Sequence, residues 1–458
     1  MLFQQSIKKA IFPDYWKIIY ITPLLKTPPS NEISNYRPIA KISSIPKLFE
    51  SIIVNLIGDT LSTALHSNQH GFRKRKSTVT NLVEFTNMVS NTMENGNQVD
   101  VVYLDLAKAF DKVNHRILIH LLKSFGIGEP LLSWFYSYLT NRKQRVKIND
   151  VISSDAIVYS GVPQGSHLGP LLFNIFLNNL PTIVKYSLIL LFADDAKIFR
   201  EIKSLQDCIS LQEDINEVTS WLTHHKLKLN CNKCSYISFS RSKNRIDFNY
   251  QINNDSLSRV TTQRDLGIIM DTKLSFNEHI NSMVKKANRS LYLISRNNYW
   301  SVNTLRRLYC AFVRPILEYA STCWNPFTKY QIDRIQSVQN RFFRLCAYKL
   351  NIKHSNINYQ DISSQLNLDL LENRRSCIDF LFLCKILNGE IDSEYILGNL
   401  NFHVPHINLR YNYPFMTNYH RTNYGKFGVL NRLMQTGNKF GHIDIFNIKS
   451  NLKLKDIN

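Results

Sequence analysis

Between Ile42 and Leu61 the apolar positions Ile45, Leu48, Phe49, Ile52, Ile53, Leu56 and Ile57 recur at helical spacing. They follow Ser43, Ser44 and Pro46 and predict an amphipathic helix. Leu82, Phe85, Val89 and Met93 predict a second one. The rhythm then changes: Val101, Val102, Tyr103 and Leu104 form a β-branched and aromatic run that ends on Asp105, the pattern of a buried strand. Helices are expected over 117–125, closed by Gly126, and over 131–139. Residues 144–148, Asn149-Asp150 and 156–159 predict a hairpin. A helix is expected over 171–180. Residues 188–193 and 196–200 then form a second hairpin with Asp194 and Asp195 at its turn. Cys208, Leu211, Ile215, Val218 and Leu222 trace another helix, before a strand over 236–239.

From about Leu291 the pattern is helical, with Tyr292, Leu305, Leu308, Tyr309, Phe312 and Val313 as expected core. After about Asn401 periodicity is weak and looser structure is expected. The order of strands and helices predicts an α+β fold on a small, largely antiparallel sheet.

Composition narrows the class. With 458 residues, 44% hydrophobic and 20% charged, the chain is globular and large enough for two or three domains. Its net charge of +21 is spread along the chain and favours a polyanionic partner, since releasing counterions from phosphates drives such binding. Eight cysteines without framework spacing read as reduced thiols of an intracellular protein. The start lacks a signal peptide's apolar core, and no apolar run approaches the roughly 18 residues that span a bilayer.

Asp105, Asp194 and Asp195 carry the candidate chemistry. Each ends or caps an apolar strand, and two such strands side by side would gather three carboxylates. That much like charge calls for a cation. Magnesium suits it, as a hard ion that takes oxygen ligands and leaves positions for substrate phosphates. A pair of such ions can assist phosphoryl displacement, in making or in breaking a phosphodiester. A lone Asp-Asp is more often an ordinary turn, so the residues alone leave the choice open.

A series of ordered segments narrows it. NYRPIAKISSIPKLFE (35–50), NQHGFRKRKST (68–78), VVYLDLAKAFDKVNH (101–115), GVPQGSHLGPLLFNIFLNNLP (161–181), LFADDAKIF (191–199), LKLNCNKCSYISF (227–239) and LGIIMDTKLSFNEHI (266–280) resemble the reverse transcriptase blocks of non-LTR retrotransposons, nearest the jockey and CR1-like group. FVRPILEYASTCWNP (312–326), VQNRFFR (338–344) and LENRRSCIDFLFLCKILNG (371–389) are similar to that group's thumb side.

The resemblance implies a right-hand polymerase: fingers and palm over 1–272, a helical thumb-like region over 273–365 and a less regular C-terminal region over 366–458. It implies RNA-directed DNA synthesis with two Mg²⁺ ions, Mn²⁺ being a substitute, held by Asp105, Asp194 and Asp195. Phe110 falls at the steric gate that excludes a ribose 2′-OH; read blind, it is a core residue. Gln164 and Gly165 fall beside the incoming nucleotide, with Gly161 allowing close backbone approach. Arg73 and Lys76 fall where the triphosphate is held, Arg37 on the template side of the fingers, Lys233 where pyrophosphate is protonated, and Leu266-Gly267 at the primer grip.

The implied partners are template RNA, a DNA primer and dNTPs, with no membrane. An upstream endonuclease or separate nucleic-acid-binding protein is expected outside the chain, which would be a 5′-truncated copy or a partial gene model. Work in the nucleus is expected for target-primed synthesis, and in the cytoplasm for assembly with RNA. The rival expectation is a catalytically silent RNA-binding relic. His167 departs from the aliphatic residue usual there. Cys231 and Cys234, with His224 and His225 upstream, raise a zinc site that lacks a second cysteine pair.

Overall fold

In the computed structural model the described residues are 1–446 except 27, 298, 354, 356, 405–412, 442 and 444. Among the described residues, two five-stranded sheets, two small two-stranded ones and an array of helices build the chain. The first sheet joins β1 (Ile18–Leu25), β2 (Tyr36–Lys41), β4 (Arg142–Ile148), β5 (Val151–Ile152) and β6 (Ala156–Val158). The second runs β9 (Ser235–Phe239), β3 (Gln98–Leu104), β8 (Asp195–Ile202), β7 (Leu188–Phe192), each antiparallel to its neighbour. The short strand Ser258–Arg259 lies parallel at its β9 edge.

β3 is covered on both faces, which explains why its apolar run is nearly unbroken. Alternation divides it. Val99 and Val101 pack with Leu82, Phe85 and Val89 of the helix Thr78–Glu94. Val102 and Leu104 join Phe173 and Phe176 of the helix Leu168–Leu177 and Leu211 and Ile215 of the helix Leu205–His224. The first of these cores continues through the helical half, from Ile280 to Ile445. Among the described residues no helix is long and apolar enough to cross a membrane.

Three expectations need correction. The helix Ser44–Thr63 forms, but it buries Pro46, Phe49, Glu50, Ile53 and Leu61 and leaves Ile45, Leu48, Ile52 and Leu56 exposed. Tyr292 and Phe312 are exposed, not core. A π-helical turn at Tyr309–Val313 adds a residue, so the buried row runs Leu305, Tyr309, Val313, Leu317 and Phe312 rotates outward. Beyond 401 the chain forms the helix Val429–Lys439, with Leu433 fully buried. A one-turn helix, Asn423–Lys426, precedes it, so weak periodicity hid two short helices among the described residues; 405–412, 442, 444 and 447–458 lie outside them.

Candidate active site

The sheet register sets the site. β3 and β8 pair down to Leu104 against Ala196, so Asp105, one residue on, stands beside Asp195 at the same sheet end. Asp195 opens β8 opposite Phe192, and the two-residue turn between them is Ala193-Asp194, with Ala193 at φ 56°. Asp105 and Asp195 line one cleft of about 250 Å³ with Tyr103, Lys197, Lys233 and Asp265.

The electrostatics are those of a crowded anionic floor. Partial burial raises Asp195 most, and the charges of Asp194, Asp265 and Asp105 add to it, carrying it to about 6 against the opposing pull of Lys197. Burial likewise raises Asp194, with Asp105 adding to the shift and Arg37 and Lys26 opposing it. Hard oxygen donors with surplus negative charge fit a divalent cation such as magnesium. Among the described residues no three acidic, histidine or cysteine side chains already converge on one point, so holding an ion requires these carboxylates to turn toward each other.

Lys233 lies 3.9 Å from the Asp105 carboxylate, both half in solvent. The Cys234 sulfur accepts from the Asp105 backbone N–H at 3.4 Å, and Asn230 donates its N–H to the Asp105 carbonyl at 2.8 Å. Burial pushes the Cys234 thiol up to about 11, so it stays protonated. His225 is stacked on Trp221 at 3.6 Å, and the described residues hold no zinc-like cluster.

Phe110 is half-buried and stacked on Phe173, with centroids 4.4 Å apart. Its carbonyl accepts from the Val162 N–H, which ties Phe110 to the loop carrying Gln164 and Gly165. That loop meets β2 closely. The Gln164 carbonyl accepts from Ala40, and a Cβ on Gly165, at φ 117°, would stand 2.7 Å from the Ala40 carbonyl oxygen. Gly161, at φ 93°, is pressed as tightly on the Asp111 backbone. Arg73 and Lys76 do not line the carboxylate cleft. Arg73 donates to the carbonyls of His66, Gln69 and Ser62, and Lys76 to that of Ser67. In this conformation both cations hold their own loop together.

Several contributors escaped sequence reasoning. Gln69, fully buried, accepts through Oε1 from Ala193 N–H at 3.0 Å and Gly71 N–H at 2.8 Å, and so clamps the carboxylate turn. Buried Glu50 accepts from Tyr138 and from the backbone of His167, holding the helix that follows Gln164. His167 itself is exposed and serves as that helix's N-cap. Lys197 and Asp265 form a buried pair at 2.5 Å, joining β8 to the hairpin Thr262–Asp265 and Ile268–Asp271. Its turn is Leu266-Gly267, and the Leu266 carbonyl accepts from Tyr319 at 2.8 Å. None left a trace in the spacing of apolar positions, since each acts through a contact between segments far apart in the chain.

Residues 25–276 match the family described as reverse transcriptase (RNA-dependent DNA polymerase). The chain is 26% identical over 388 residues to a probable RNA-directed DNA polymerase from transposon BS of Drosophila melanogaster, across 80% of this chain and 43% of that protein. It is 28% identical over 361 residues to the RNA-directed DNA polymerase from the mobile element jockey of the same fly, across 75% of this chain and 39% of that protein. It thus spans about two fifths of the length of these relatives. The solved telomerase of Candida tropicalis with a telomeric RNA fragment aligns over 80% of this chain and 67% of its own, at TM-score 0.38 and 12% identity. The sequence likeness is to jockey-type non-LTR retrotransposon polymerases, and with more than half of its residues matched, the chain belongs to the reverse transcriptase family.

Proposed function

We propose that the chain is the polymerase region of a non-LTR retrotransposon reverse transcriptase, adding deoxynucleotides to a primer 3′-hydroxyl on an RNA template. The observation that carries this reading is the meeting of Asp105 and Asp195 at the ends of paired strands, in one cleft with Lys233. Residues 1–272 would form fingers and palm, 273–365 a thumb-like region, and 366–458 a C-terminal region to which no role is assigned.

In the reaction the 3′-oxygen bonds to the α-phosphorus, the bond to the bridging oxygen of the β-phosphate breaks, and pyrophosphate departs. Asp105, Asp194 and Asp195 would hold two magnesium ions, or manganese in their place. When bound, such ions lower the pKa of the attacking hydroxyl and neutralise the leaving oxygen. The chain's own residues do the rest by position and charge. Lys233, with Nζ 3.9 Å from the Asp105 carboxylate, would protonate the departing pyrophosphate. Phe110, fixed by Phe173, presents a ring to the sugar. Gln164 and Gly165 form the wall against the nucleotide, held to Ala40. Arg73 and Lys76 would reach the triphosphate by exchanging loop carbonyls for phosphate oxygens, and Arg37 would serve the template side. Leu266-Gly267 would support the primer end.

The partners proposed are template RNA, a DNA primer and dNTPs, with an endonuclease or nucleic-acid-binding function supplied outside these residues. Copying RNA at a chromosomal nick would place the work in the nucleus. The purified chain should extend a DNA primer on an RNA template with Mg²⁺, and Asp194→Asn should lower incorporation by roughly a hundredfold or more. Silence of the native chain, accompanied by salt-dependent RNA binding, would favour the relic reading instead.

A further inference from the structure

Three rings stand beside the carboxylate turn. Phe173 is fully buried on the helix Leu168–Leu177, and Phe110 stacks on it at 4.4 Å with 14° between planes. Phe72 meets Phe110 edge-on, at 6.0 Å and 86°. Unlike its partners, Phe72 is 56% exposed. Its backbone lies at φ 55°, in the left-handed region that an aromatic side chain rarely adopts. An apolar ring in water on a strained backbone is a poor packing device, and such strain persists only where the surroundings over-determine it.

Those surroundings are present. Gly71, the preceding residue, has its N–H held by the Gln69 side chain at 2.8 Å and its carbonyl held by Asn174 at 2.8 Å. Asn174 is the neighbour of Phe173 on the same helix. A Cβ on Gly71 would lie 2.2 Å from the nitrogen of Ala193, in the turn that carries Asp194. The start of Phe72 is therefore pinned at once to the carboxylate turn and to the helix beneath Phe110. Stacking on Phe173 supports only one face of the Phe110 ring. A ring held on one face can still tilt and slide, and the perpendicular contact with Phe72 gives it a second ring to rest on.

We propose that Phe72 is a specificity-determining positioning residue, which holds the Phe110 ring in the attitude that rejects a ribose 2′-hydroxyl. This rests on the reading of Phe110 as the sugar gate, and the two claims fail differently. The experiment is single-nucleotide primer extension with a dNTP and with the ribonucleotide of the same base, comparing kcat/KM for the native chain, Phe110→Val, Phe72→Ala, Phe72→Leu and Phe72→Tyr. Phe110→Val should lose most of the preference for dNTP. Phe72→Ala and Phe72→Leu should lower that preference by roughly tenfold, the scale on which a small change in an apolar pocket discriminates. Phe72→Tyr keeps the ring edge and should keep the native ratio. The double variant Phe72→Ala/Phe110→Val should discriminate no worse than Phe110→Val alone, because Phe72 acts through Phe110.

An unchanged ratio in both Phe72→Ala and Phe72→Leu, with Phe110→Val clearly relaxed, would overturn the role of Phe72 and leave the gate standing. An unchanged ratio in Phe110→Val would overturn the gate and the role of Phe72 together. Phe72→Leu removes the ring but keeps more apolar bulk than Phe72→Ala, so a folding failure confined to Phe72→Ala would still leave the question decided.

Discussion

Gln69 shows how much of the site rests on side chains that never touch substrate. Its Oε1 satisfies two buried N–H groups, and one of them belongs to the turn that carries Asp194. Gln69→Met would keep the shape and leave both donors unpaired, at about 1–3 kcal/mol each. It should lower kcat on the order of tenfold or more while dNTP KM changes little, because what moves is the carboxylate turn and not the nucleotide wall. Gln69→Glu retains the acceptor and should lose much less. Single-turnover extension beside a denaturant melt separates the two effects: a fall in stability with undiminished turnover would sink the positioning role. Asp105 and the Asp194-Asp195 pair were legible in the sequence because each interrupts an apolar run. Gln69 was not, because its role comes from a contact made 124 residues away.

At the scale of elements, the hairpin Thr262–Asp265 and Ile268–Asp271 is where the sheet meets the helical half. Lys197 and Tyr103 hold it through Asp265 from one side, and Tyr319 holds its turn from the other. His279, on the helix Asn277–Ser295, accepts from the Ile269 N–H through Nδ1 at 3.4 Å and packs edge-on against Trp324. Burial, with Arg264 adding a smaller push, lowers His279 to about 4. The unfolded chain keeps the ordinary histidine value near 6.5, so it binds the proton first as pH falls. Stability should therefore be complete above about 6.5 and decline toward pH 4, by on the order of 3 kcal/mol from this residue. Denaturant midpoints across that range should fall for the native chain and less for His279→Gln; parallel curves for the two would remove His279 as the cause.

Most elements were readable because their periodicity is strong and their flanks carry breakers. β3, the helix Thr78–Glu94 and the hairpin bearing Asp194 all lie where alternation and helical spacing put them. The helix Ser44–Thr63 was predicted, but its inner face was misassigned, because its apolar residues are spread too widely for spacing alone to select a side. Periodicity also cannot anticipate a π-helical turn, which changes the count of residues per turn midway along an otherwise regular row.

Across the whole molecule, a +21 chain gathers Asp105, Asp194, Asp195 and Asp265 into an anionic floor at one end of a five-stranded sheet. A basic protein gathers nucleic acid by counterion release, but bond formation needs the charge locally reversed and then neutralised by ions. The overall sign of the charge was plain in the sequence. The convergence of elements around the floor was not, since it depends on strand order and on a helical half that periodicity outlines only in part. The most direct measurement is the structure of the chain with RNA template, DNA primer, a dNTP and Mn²⁺, read by anomalous scattering. Manganese peaks bridging the carboxylates of Asp105 and Asp195, with the nucleotide phosphates completing the coordination, are the predicted result. A bound nucleotide with no metal signal at those carboxylates, or metal held elsewhere while synthesis proceeds, would contradict the account.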